Sequence, residues 1–208
     1  MGLLFAVLKP FQVFNDIVLP IGRRISILLI ALMVVAILIQ VFFRYVLNNA
    51  LPWPDEAARF AMLWLTGLIA PMAYRRGGFV AIDMLVAFLP GAAAHVLNVL
   101  LLVIAGIVLA VAVTIGWGEL TGFMARANTA SLFVPFNVGG VCDALGIKPV
   151  GDSIWCRVPR MWAFASFWVG CVLLLIVNTE LMIRSIIALL GREADLKPLT
   201  PEDDFIVE

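Results

Sequence analysis

The sequence predicts an all-α integral membrane protein, with four transmembrane helices plus short interfacial helices. Three observations predict it. Of the 208 residues, 63% are hydrophobic and only 13% are charged, whereas soluble domains carry about 25% charged residues. Mean hydropathy is +1.09. The apolar residues also collect in uncharged runs near the ~20 residues that a helix needs to cross a bilayer. Each run must be helical, because lipid offers the backbone no hydrogen-bond partner. The 14 basic and 14 acidic residues cancel. That leaves no basic surplus for nucleic acid to bind.

The spans follow in order. Ile25 to Phe43 is 19 residues without a charge, bracketed by Arg23, Arg24 and Arg44. Phe60 to Tyr74 is 15 uncharged residues, short for a crossing. Starting that helix at Pro54 gives 21. Proline suits a first turn, and Asp55 and Glu56 suit the positive end of the helix dipole. Met84 to Gly118 is a third uncharged run, divided by Pro90 and Gly91, so the span is read as Ala92 to Trp117. Met161 to Thr179 is the fourth, again 19 residues.

The remaining segments divide the chain into 1–24, an N-terminal interfacial segment; 25–190, the transmembrane domain with a long periplasmic loop at 118–160; and 191–208, an acidic cytoplasmic tail. The first segment places Leu4, Val7, Leu8, Phe11, Phe14, Ile17 and Val18 on one helical face. It reads as a helix lying along the membrane and bent at Pro10. Phe79 to Leu89 reads as a second short interfacial piece with Asp83 on its wet side. The tail carries six acidic and two basic residues and no apolar period, so it reads as solvated.

Basic residues set the topology. Lys9, Arg23, Arg24, Arg75, Arg76, Arg184, Arg192 and Lys197 would share one side. Arg44, Arg126, Lys148, Arg157 and Arg160 would share the other. Basic residues in short loops stay cytoplasmic, so both termini are expected there. Trp53, Trp117, Trp155 and Trp162 would then sit near the outer boundary, a level that indoles favour.

Chemistry-bearing motifs are scarce. His95 is the only histidine, which excludes bis-histidine haem ligation within the chain and a His-rich zinc site. No phosphate-cradling glycine loop, CxxC or nucleophile elbow occurs. No catalytic residue, cofactor or metal site is expected. Gly106 and Ala110, then Ala112 and Gly116, stand four apart on the third span. That spacing admits close helix approach, although Gly and Ala are common in membrane helices anyway. The second span begins with a polar cluster. Asp55 and Glu56 stand four and three residues before Arg59, so either carboxylate can pair with it.

A set of residues in this region carries a resemblance. It comprises Phe43-Arg44-Tyr45-Val46-Leu47-Asn48, Leu51-Pro52-Trp53, Glu56, Arg59 and Trp64, then Ala73-Tyr74-Arg75-Arg76-Gly77-Gly78, Asp83 and Leu89-Pro90. Together they resemble the small permease subunit of TRAP transporters, the DctQ-like family, over about half the chain. Phe79 stands where the family often has His, so no role for that His carries over. The loop after the third span also exceeds the family's usual length.

The resemblance implies a scaffold in the bacterial inner membrane. Its partners would be a large TRAP permease subunit, a periplasmic substrate-binding protein and membrane lipid. The large subunit would hold the sodium and substrate sites and take up an organic acid without ATP. Arg44, Trp53, Glu56, Arg59, Trp64, Arg75, Arg76 and Asp83 are the candidate subunit-interface or helix-anchoring residues. Alternatives are a membrane anchor of a respiratory enzyme, a small channel, or the small subunit of a tricarboxylate-type transporter. Cys142 and Cys156 are expected to pair as a disulfide, because the topology places their loop in the oxidising periplasm. Cys171 is left as a small buried residue of the fourth span.

Overall fold

The structure is a computed structural model, and it describes residues 2–49, 51, 53–76, 91–122, 128–134 and 156–189. The elements are α1 (Gly2–Tyr45), α2 (Trp53–Arg75), α3 (Gly91–Thr121), β1 (Asn128–Val134), β2 (Cys156–Pro159) and α4 (Met161–Leu189). All four helices are long and apolar enough to cross a membrane. The protein is therefore an all-α, multi-pass membrane protein, with a small sheet as its one departure among the described residues.

Helix α1 differs most from expectation. It is continuous across the boundary expected at 24/25, running 44 residues despite Pro10 and Pro20, although the compact units divide between Arg23 and Arg24. At 1.5 Å per residue it is about 66 Å long, twice the ~30 Å hydrocarbon core, so only part of it can cross. Its buried stripe shares Leu8 with the apolar face read from sequence and adds polar residues. Leu8, Asn15, Leu19, Gly22 and Ser26 are buried, while Phe14 and Ile17 are exposed. In lipid an exposed Phe or Ile costs nothing, so a polar residue with a partner can claim the interior. Asn48, in the connection after α1, has a φ of 49°. Asn tolerates that left-handed conformation, and there the Asn49 N–H reaches the Phe43 carbonyl at 3.0 Å.

Helix α2 begins one residue before the expected Pro54. Helix α3 extends past both ends of the expected span. Helix α4 continues ten residues beyond Thr179, so Glu180 ends the uncharged run without ending the helix. The long loop carries a sheet that sequence reading did not anticipate. β1 and β2 pair antiparallel, with Phe133 opposite Arg157, Val134 opposite Cys156, and an irregularity between Asn128 and Phe133.

The chain divides into two compact units. One comprises Met1–Arg23, Leu68–Val113 and Gly170–Glu208; its apolar core includes Leu8, Leu19, Leu102, Cys171, Val177 and Ile187. The other comprises Arg24–Gly67 and Thr114–Val169, with Ala58 and Val158 buried. Small residues permit close packing inside each. In the first unit a Cβ on Gly22 would meet the Leu68 carbonyl at 3.4 Å, and one on Gly106 would meet Asn178 Nδ2 at 2.9 Å. In the second, a Cβ on Gly116 would meet Trp168 at 3.2 Å, where Trp168 leans against Trp117. Gly106 and Gly116 thus serve the close approach that their spacing allowed.

Candidate functional site: a buried ionic network on Glu180

Glu180 of α4 is fully buried. Its carboxylate accepts from three side chains. Asn15 of α1 donates through Nδ2 to Oε2. Arg75, the last residue of α2, donates Nη2 to Oε1 at 2.9 Å. Arg184, one turn along α4, approaches Oε1 with Nε and Nη2, both at 3.2 Å. Arg75 also donates Nη1 to Asp16 of α1 at 2.7 Å. Among these described groups the two guanidiniums balance the two carboxylates.

Beside it, Asn178 makes a second link to α2 and brings in α3. Its Nδ2 donates to the Leu102 carbonyl of α3 at 3.1 Å, and its Oδ1 accepts the Tyr74 hydroxyl of α2. The amide can sit only this way round, since a carbonyl accepts and cannot donate. Gly106 makes the approach possible, because a Cβ there would press on the same amide. Asn98 of α3 adds a donation to Ser185 at 3.3 Å. Side chains from α1, α2, α3 and α4 are therefore joined within one compact unit.

A buried charge cluster is costly unless each charge is paired and its remaining hydrogen bonds are satisfied. Here two polar atoms are left over, Asn15 Oδ1 and Arg75 Nε. The Asn15 amide cannot flip, because its oxygen would then face the Glu180 carboxylate. The arrangement clamps helices and fixes their register. Among the described residues no group of His, Cys, Asp or Glu is placed to hold a metal ion.

The expected site residues fall in different places. Arg75 is central to the network. Arg76 is exposed just beyond α2, with its N–H on the Met72 carbonyl. Arg44 is exposed in the last turn of α1, 5.9 Å from the Tyr45 ring centre. Trp53 and Glu56 are half-buried in the first turn of α2. Arg59 pairs with Asp55 at 3.0 Å, the other of its two possible carboxylates. Trp64 lines an apolar groove with Phe60, Ala61 and Ala57 of α2 and Leu32 and Met33 of α1. Asp83 and Cys142 lie outside the described residues, and of Cys156 only the backbone in β2 is described. The expected disulfide therefore lies outside them too. Cys171 is buried, as expected.

Sequence reading missed Asn15, Asp16, Asn178 and Glu180, and it used Arg184 only for topology. One signal was available: Glu180 and Arg184 stand four apart, the spacing of a helical ion pair. Nothing in the sequence joined that pair to Arg75 or Asn15.

A family model described as tripartite ATP-independent periplasmic transporters, DctQ component, matches residues 33–188. No curated protein and no solved structure matches the chain.

Proposed function

The chain belongs to the DctQ component family of tripartite ATP-independent periplasmic transporters, and we propose that it is the rigid membrane scaffold beside a large permease subunit. In this reading the large subunit carries out sodium-driven uptake of an organic acid delivered by a periplasmic binding protein. The scaffold sits in the bacterial inner membrane with both termini in the cytoplasm. The observation that carries the scaffold role is the network on Glu180. Among the described residues it commits the buried charges to holding the chain's own helices together, through bonds from Asn15, Arg75 and Arg184. A mobile carrier needs groups that can exchange partners, whereas these are committed. Among the described residues all four helices run unbroken, whereas transport sites at the membrane midplane are typically built from discontinuous ones.

Reconstitution in liposomes tests the proposal. The chain alone, under a sodium gradient, is expected to move no organic acid. The chain co-purified with its large subunit, with the binding protein added, is expected to accumulate it. Sodium-driven uptake by the isolated chain would overturn the scaffold role.

A further inference from the structure

Asp55, Arg59, Met62, Leu63 and Thr66 are all exposed and recur at the three- and four-residue spacing of one helix face. They form a stripe along α2. The other side of α2 faces α1: Ala57, Phe60 and Ala61 share their groove with Leu29, Leu32, Met33 and Ala36. This register sets a depth that the sequence did not give. Leu29 to Ala36 is the middle of the 19-residue uncharged run of α1. Seven uncharged residues separate Ala36 from Arg44, about 10 Å of helix. The Asp55–Arg59 pair, abreast of this region, thus lies alongside the charge-free run of α1 rather than beyond its end at Arg44, with Arg59 five residues inside the α2 span that starts at Pro54. Yet its side chains are 77% (Arg59) and 55% (Asp55) exposed.

Charged groups at such depth face protein or water rather than lipid. We propose that this stripe of α2 is the docking face for a transmembrane segment of the large permease subunit. That segment presents hydrogen-bonding or charged groups to the Asp55–Arg59 pair and apolar side chains to Met62 and Leu63. The inference rests on the scaffold reading and adds to it the surface and the chemistry of the partner.

Two measurements on the co-expressed complex test it. A benzophenone photo-crosslinking residue is placed at Met62 or Leu63, and at Val34 or Leu38 of α1 for comparison. Adducts with the large subunit are expected from the α2 positions. Co-purification without any adduct from α2 would overturn the docking face and leave the scaffold reading standing. If the large subunit does not co-purify with the unsubstituted chain, the scaffold reading itself fails, and the docking face with it. Separately, Arg59→Ala and Asp55→Ala are compared with Arg24→Ala, an exposed arginine off the stripe. Large subunit recovered per tagged chain is expected to fall roughly tenfold or more for the first two and to hold for the third. The amount of tagged chain in membranes should not change. A fall in membrane-inserted chain with an unchanged ratio would mean that the pair only anchors α2 at the interface, and would overturn the proposal.

Discussion

At the scale of single residues, Glu180 and Arg59 show why a charge in a span cannot be weighed from sequence alone. Both have a partner four residues away, yet Glu180 is enclosed and Arg59 is open. Glu180→Ala would leave Arg75 and Arg184 without their shared acceptor. Removing one member of a buried pair costs about 3–5 kcal/mol, a loss to be read as lowered thermal stability in detergent. In detergent, where the exposed pair meets water, Asp55→Ala in the isolated subunit should cost under ~1 kcal/mol, because solvated pairs contribute little. Equal losses would refute the contrast. The glycines give a second pair. Gly106→Ala drives a methyl against Asn178, which is held from both sides by Leu102 and Tyr74. Overpacking of that kind costs about 1–3 kcal/mol. Gly118→Ala meets nothing within 4 Å and should be neutral or slightly stabilising. The spacing of small residues was legible, but their differing surroundings were not.

At the scale of elements, the helices were legible because lipid demands long uncharged runs. Their ends were not, because α4 carries Glu180 and Arg184 inside the structure and keeps going. Burial on α4 makes a direct prediction. Cys171 is 6% exposed, so a maleimide should label it only after denaturation; rapid labelling of the folded protein would contradict its position. The loop carries a second proposal. Cys156 lies in β2 opposite Val134, and a bridge to Cys142 would close a loop of about 15 residues, stabilising it by ~3 kcal/mol in the chain-entropy model. Alkylation of denatured protein with and without reductant, followed by mass spectrometry, decides it. Modification of both cysteines without reductant would refute the bridge and weaken the outward placement of the loop.

At the scale of the whole molecule, apolar exposure dominates. Ile27, Leu28, Val34, Val35, Leu38, Ile107, Val108 and Ile115 are all exposed, which would be ruinous in water and is ordinary for surfaces that meet lipid or a partner subunit. The most apolar windows of α1, α2 and α3 are each 6% buried, against 28% for α4, so α4 contributes most to the interior. The cytoplasmic placement of both termini is tested by fusing reporters to Glu208. A cytoplasm-active reporter should function and a periplasm-active one should not, and the opposite result would invert the topology.

The sequence by itself determined the membrane class, the four spans and the family, since each rests on length, charge gaps and an ordered set of residues along one chain. It also offered Arg59 its two carboxylates and marked the small residues of α3. The tertiary structure decided which charges matter. Asn15 and Glu180 stand 165 positions apart and Arg75 and Glu180 stand 105 apart, so no local pattern connects them. It likewise decided that Asn15 joins Leu8 and Leu19 on the buried stripe of α1. The physical reason is the solvent. In lipid the apolar side chains of α1 lose nothing by facing outward, and hydrogen bonds between distant polar residues take over the selection of the inner face.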